Sequence, residues 1–224
     1  MTRIAFPNPE KAPTGEPLAQ GGDLSTSTLL KAYSLGIFQW FDDASPILWW
    51  SPDPRAILPL DNFHVSRRLA RTIRQGKFQV TLNQAFAEVV TGCAQGREEG
   101  TWITKEVQAA YCQLRQQGSA HSVEVWQEGV LAGGLYGVAL GGLFAAESMF
   151  FRVSNASKVA LAWLLEHLKE RGFQLLDLQV LNDHTKSLGA VEIPRSQYLQ
   201  RLKKALRVKA RMAPDPAAPS ESQG

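Results

Sequence analysis

Cysteine is scarce in this chain. Cys93 and Cys112 are the only two in 224 residues, and they lie far apart without CxxC spacing. No disulfide framework can be built from them, and with only four histidines no zinc-ligand pattern is present either. No apolar run approaches the roughly 20 residues that a membrane-spanning helix requires. The opening MTRIAFPNPEKAP lacks the apolar stretch of a signal peptide. A cytoplasmic protein with reduced thiols and no membrane partner is therefore expected. Neither charge sign dominates: the formal net charge is +3 and the pI near 8.9, so only local clustering of basic residues can be informative. Two catalytic signatures are missing as well. There is no GxSxG elbow, since Ser148 in AAESM lacks the turn glycines, and no glycine-rich loop opens a helix where a pyrophosphate would sit.

At 44% hydrophobic residues the chain can bury one large or two small cores. Proline and glycine punctuate residues 1–20, which read as an extended arm. Ser25 is placed to cap a helix that Gly36 ends, and Pro46, Pro52 and Pro54 forbid continuous helix after it. Residues 1–53 are thus expected to form a small domain of one helix and short strands. In the larger domain, 54–206, Ser66 and Thr104 are further cap candidates. SVEVWQ, VLAGGLYGVAL and LFAAESMFF read as three strands joined by Glu128-Gly129 and Gly141-Gly142, an antiparallel meander. An amphipathic helix over 155–172, the apolar strand FQLLDLQVL, a turn around Asn182 and His184, and a last helix through YLQRLKKAL follow. This is the order of N-acetyltransferase-like α+β domains, with a mixed, mostly antiparallel sheet. The polar, proline-bearing residues 207–224 are expected to be disordered. No long exposed apolar stripe calls for a partner subunit, so a monomer is expected.

Several residue types stand where their chemistry is conspicuous. Trp40, Trp49, Trp50 and Trp102 lie in Gly/Pro/Asp-punctuated sequence without helical or strand periodicity, so they either plug gaps between domains or present a surface for flat rings. Asp177 and Gln179 alternate onto one face of an apolar strand, where they need partners: each other and a neighbouring loop, or a substrate. Glu147 sits among Phe144, Ala145, Ala146, Met149 and Phe150, a costly place for a carboxylate unless it is paired with an internal arginine or an incoming cation. Arg67, Arg71 and Arg74 fall at i, i+4 and i+7, with Arg68 and Lys77 nearby. That is one basic face, suited to solvent or to phosphates.

The segments GGDL, GIFQWF, WWSPDPRA, EEGTWIT, ESMF and QVLNDHTKSLGAVEIPR are long and chemically unusual. In them the chain resembles the leucyl/phenylalanyl-tRNA-protein transferases, from about Ile4 to Leu206. The resemblance implies transfer of leucine or phenylalanine, with methionine a third candidate, from aminoacyl-tRNA to the N-terminal Arg or Lys of a protein, marking it for degradation. It implies no metal or soluble cofactor. It places Asp177 and Gln179 at the reaction centre, with Asp177 orienting the Gln179 amide toward the attacking amine, while a tRNA 2′-hydroxyl is the alternative proton shuttle. Glu147 and Asn182 would meet the acceptor peptide, Trp40 and Trp102 the terminal adenosine, and Arg67, Arg71 and Arg74 the tRNA backbone. Trp49 and Trp50 are left to inter-domain packing. Leu135, Phe144, Met149, Leu161, Leu164 and Leu176 would line the side-chain slot. That last assignment requires a bulge, because strict alternation puts Phe144 and Met149 on opposite faces. At Leu164 the family pattern leads us to expect an aromatic, and a less filled slot broadens the choice of side chain. Two competing functions fit the same fold: an acyl-CoA-dependent N-acetyltransferase, and a non-catalytic tRNA- or peptide-binding module.

Overall fold

The computed structural model describes residues 4–95 and 101–213. Residues 98–100 of the EEGTWIT motif and 214–224 of the expected disordered tail lie outside the described residues. In chain order the elements are β1 (Ala19–Gln20), α1 (Thr26–Ser34), β2 (Phe38–Gln39), β3 (Leu48–Trp50), β4 (Arg55–Ile57), α2 (Arg67–Arg74), β5 (Gln79–Leu82), α3 (Phe86–Ala94) and α4 (Lys105–Gln116). They continue with β6 (Ala120–Gln127), β7 (Val130–Leu140), β8 (Leu143–Phe151), α5 (Ala156–Glu170), β9 (Leu175–Gln179), α6 (Asp183–Ser187), β10 (Val191–Ile193) and α7 (Arg195–Ala205).

Two sheets organise the fold. β1, β3 and β2 form a small antiparallel sheet, and a seven-stranded sheet runs β10-β4-β9-β8-β7-β6-β5. In the larger sheet β8 and β9 pair in parallel and every other neighbouring pair is antiparallel, so the expected mixed, mostly antiparallel sheet of an α+β domain is present. The meander of β6, β7 and β8 turns where the glycine dipeptides stand. Glu128 and Gly129 both adopt positive φ, the conformation of a tight hairpin turn. Ser25, Ser66 and Thr104 cap α1, α2 and α4 as expected, each side chain accepting a backbone N–H three residues on.

Cores lie on both faces of the large sheet. Against one face pack α1, α3 and α4 with Tyr136, Val138 and Ala145 of the sheet; Trp49 is fully buried there, and Trp50 packs at its edge. Both tryptophans thus belong to the apolar cluster that the small sheet shares with helices and strands of the larger domain. Against the other face α5 buries Val159, Leu161, Leu164, Leu165 and Leu168 on Leu135, Phe144 and Leu176. A third cluster seats α7 on Ile57, Leu143 and Leu175.

Three expectations need correction. Asn182 and His184 do not sit in a plain turn: Asn182 caps the short helix α6 in a reciprocal capping box with Thr185. Residues 207–213, expected to be disordered, pack on the domain, since Met212 is buried beside α5 and its carbonyl meets His167 Nε2 at 2.6 Å. Ala210 and Met212 packed on the α5 core, together with the Met212 carbonyl on His167, help to anchor this polar stretch. β4 and β10 were not legible as strands, because each is three residues long and flanked by proline. Both nevertheless complete the edge of the large sheet beside β9.

Candidate active site

A cavity of about 440 Å³ opens between the small sheet and the point where β8 and β9 diverge. Its walls include Gln39, Trp40, Trp102, Leu135, Glu147, Met149, Gln179, Asn182 and His184. Residues separated by up to 145 positions in the chain thus meet in one place.

The carboxylate is put there by an irregularity in β8. Tyr136 of β7 faces Ser148, yet the next residue, Gly137, faces Ala146, so Glu147 is an extra residue in its strand. This is the bulge that the slot assignment demanded. It releases Glu147 from the ladder, and it brings Phe144 and Met149 toward the same core despite their odd spacing. Gly137 opposite it has no side chain for a reason: a Cβ there would overlap the Phe144 ring and the Ala145 carbonyl.

Glu147 is held by three donors. Tyr33 from α1 donates to Oε1 at 2.8 Å, Tyr111 from α4 to Oε2 at 2.8 Å, and Gln179 Nε2 from β9 to Oε1 at 2.8 Å. No cation of this chain pairs with it among the described residues, so the internal salt bridge does not form. Burial of the charge pushes its pKa up to about 7, although the phenols and the amide pull the other way. Burial and the adjacent Glu147 charge raise both phenols well above their ordinary value, so Tyr33 and Tyr111 remain donors. The two hydroxyls also lie 2.5 Å apart, and Gln39 Nε2 donates to Tyr111 at 3.3 Å.

Asp177 takes a different position from the one expected. It is 1% exposed, does not line the cavity, and its carboxylate is gripped by Arg55 through two hydrogen bonds of 2.9 and 2.7 Å. Tyr198 of α7 donates a third at 2.8 Å. Burial works against the Arg55 charge, yet Asp177 beside it holds the guanidinium pKa above its ordinary value. Asp177 touches Gln179, but at the backbone N–H, 2.9 Å from Oδ1, and not at the amide. The physical reason is the end of β9. Gln179 adopts φ +62°, which folds its N–H back onto Asp177 and leaves the side chain to reach Glu147.

The remaining residues divide. Trp40, 47% exposed, and half-buried Trp102 share the cavity wall, and Trp50 braces Trp40 with ring centroids 5.8 Å apart and its indole N–H on the Trp40 carbonyl. Asn182 lines the cavity while its Oδ1 is committed to the Thr185 N–H at 2.8 Å. His184 lines it too, and partial burial, with Lys158 nearby, lowers its pKa. Of the six slot residues, Leu135 and Met149 line the cavity. Phe144, Leu161, Leu164 and Leu176 do not: each is at most 1% exposed, in the core beneath. Arg67, Arg71 and Arg74 are exposed on α2 and do not line this cavity. Reading the sequence missed Arg55, Tyr33, Tyr111 and Gln39. The signal for the first three was the unmet need of Asp177 and Glu147 for buried donors, but nothing in one sequence says which donors fold next to them.

Comparison with known proteins gives the family. A family model described as "Leucyl/phenylalanyl-tRNA protein transferase" matches residues 57–203, and one for the N-terminal domain of the same family matches 22–53. The leucyl/phenylalanyl-tRNA–protein transferase of Edwardsiella ictaluri (strain 93-146) is 58% identical over 202 residues, covering 89% of this chain and 83% of its own. That of Klebsiella pneumoniae (strain 342) is 56% identical, covering 89% and 86%. Solved structures overlap loosely: a GCN5-related N-acetyltransferase from Kribbella flavida is 12% identical with a TM-score of 0.40, covering 75% of this chain and 59% of that one, which adds nothing to the strand order described above. With both domain models matched and more than half of the residues shared with such relatives, this chain belongs to the leucyl/phenylalanyl-tRNA-protein transferase family.

Proposed function

We propose that this protein transfers leucine or phenylalanine from aminoacyl-tRNA to the N-terminal Arg or Lys of an acceptor protein, working as a monomer in the cytoplasm. The observation that carries this reading is Glu147: an enclosed carboxylate facing a cavity, held by three neutral donors and paired with no cation among the described residues. Such a group is completed by an incoming positive side chain. The tryptophans Trp40 and Trp102 on the same wall offer faces on which the terminal adenosine stacks irrespective of tRNA identity. Leu135 and Met149 offer an apolar contact for the transferred side chain, with Phe144, Leu161, Leu164 and Leu176 as its rigid backing. Asn182 adds a polar group at the rim, and the exposed Arg67, Arg71 and Arg74 neutralise tRNA phosphates.

An aminoacyl ester is already activated, so alignment supplies most of what the reaction needs. The acceptor amine attacks the ester carbonyl, the new C–N bond forms, the C–O bond to the tRNA 3′-oxygen breaks, and the proton lost by the amine passes to that oxygen. Gln179 orients the amine. Asp177 is a positioning residue in this scheme, since both its oxygens are engaged by Arg55, Tyr198 and the Gln179 backbone. The neighbouring tRNA 2′-hydroxyl is then the group best placed to relay the proton.

The test uses labelled phenylalanyl- and leucyl-tRNA, acetyl-CoA as a parallel donor, and two peptides differing only in an N-terminal Arg or Ala. Label on the Arg peptide, from tRNA alone, is the expected result. Acetylation without aminoacyl transfer would establish the acyl-CoA alternative, and binding of charged tRNA without any transfer would leave a non-catalytic module.

A further inference from the structure

Glu147 alone cannot receive an arginine through both prongs of its guanidinium. An ionised carboxylate offers about four acceptor positions, two on each oxygen. Oε1 already takes the Tyr33 hydroxyl and Gln179 Nε2, and Oε2 takes the Tyr111 hydroxyl, which leaves one position, on Oε2. One position suits a single N–H of an ammonium. A guanidinium presents a planar fork of N–H groups that needs two acceptors side by side.

The second acceptor is present. Gln39 of β2 is 1% exposed and lines the same cavity, and its Nε2 donates to the Tyr111 hydroxyl at 3.3 Å, on the Oε2 side of Glu147. Its amide oxygen has no hydrogen-bond partner among the described residues. A buried amide oxygen without a donor is costly, and such a group in a native fold calls for an explanation. We propose that Gln39 Oε1 accepts an N–H from the acceptor's N-terminal arginine while Glu147 Oε2 accepts another, which makes Gln39 a specificity-determining residue that favours Arg over Lys. The inference rests on the reading of Glu147 as the acceptor-binding carboxylate. Gln39 sits one residue before Trp40, so the same strand end sets both the cation subsite and the ring-stacking surface.

Direct binding tests this without depending on catalysis. Three peptides, identical except for an N-terminal Arg, symmetric dimethyl-Arg or Lys, are titrated calorimetrically against the wild-type protein and Gln39→Met. Methylation keeps the charge but blocks the two-pronged contact. The wild type is expected to bind the Arg peptide about tenfold more tightly than either of the others, the scale of one hydrogen bond to a charged group. Gln39→Met is expected to bind all three alike. Equal affinities for the wild type, or an unchanged Arg preference in Gln39→Met, overturn the proposal. So does a variant that loses charged tRNA and keeps its Arg preference, since the oxygen then serves the adenosine. Should Gln39→Met not fold, the wild-type comparison of Arg with dimethyl-Arg decides alone. Absence of transfer with a Gln39-dependent Arg preference would sink the transferase reading and leave this one standing; transfer without that preference would do the reverse.

Discussion

Arg55 holds Asp177 through parallel hydrogen bonds, Nε to Oδ1 at 2.9 Å and Nη2 to Oδ2 at 2.7 Å, with both side chains 1% exposed. The same guanidinium donates from Nη1 to the Gly36 carbonyl at 3.0 Å, where Gly36 ends the turn after α1 at φ +75°. The small sheet's helix, β4 and β9 are thereby tied together beneath the cavity. A side chain at Gly36 would strike Tyr198 and Leu199, so both its conformation and its closeness to α7 require glycine.

Breaking that pair by Arg55→Met or Asp177→Leu alone leaves a buried charge unmatched, and we expect a loss of about 3–5 kcal/mol in urea denaturation. The double variant should recover part of it. A fully stable Asp177→Leu protein without activity would contradict the positioning role and return Asp177 to the chemistry.

Glu147 gives the protein a pH dependence. Its pKa rises from 4.5 to about 7 on folding, so the folded protein keeps a proton that the unfolded chain releases. The associated stability is fully present below pH 4.5 and is lost as pH climbs through about 7. Glu147→Gln cannot lose it, and its stability advantage over the wild type should grow across that interval to a few kcal/mol. Binding runs oppositely: a cationic side chain is held by the ionised form, so the affinity for an Arg peptide should rise as pH climbs through about 7, a rise that Glu147→Gln should lack.

The proposed stacking on Trp40 and Trp102 predicts different effects on the two substrates. Either residue changed to Ala should raise the KM for aminoacyl-tRNA by an amount equivalent to about 1–3 kcal/mol, with little effect on the peptide. Trp40→Phe, which keeps a flat face, should lie between. Equal weakening of both substrates would assign the tryptophans to packing.

The basic face of α2 is tested by salt. Each of Arg67→Ala, Arg71→Ala and Arg74→Ala should lower the slope of log affinity for tRNA against log salt by roughly one phosphate contact. Peptide affinity should not move. A slope identical to the wild type in all three variants would leave these exposed arginines to solvent.

Met149 lies on the cavity wall, where the proposed apolar contact is made. Met149→Ala should shift the choice between phenylalanyl- and leucyl-tRNA toward phenylalanine by no more than about 1–3 kcal/mol, read as a ratio of kcat/KM values. The backing residues Leu161 and Leu164, buried in α5, should alter stability first when truncated, by about 2–5 kcal/mol for Leu→Ala.

Local chemistry was legible along the chain. The caps at Ser25, Ser66 and Thr104, the glycine turns of the meander and the amphipathic pattern of α5 each depend on a few consecutive residues, so one sequence determines them. So did the misfit of Glu147 and Asp177 in apolar strands, which announced buried carboxylates in need of donors. What only the tertiary structure decided was which donors they meet. Arg55 lies 122 positions before Asp177, Tyr33 lies 114 before Glu147, and three-residue strands such as β4 and β10 have no pattern of their own. Such partners are chosen by sheet order and by a single bulged residue, and these arise from the packing of the whole chain, where no local period records them.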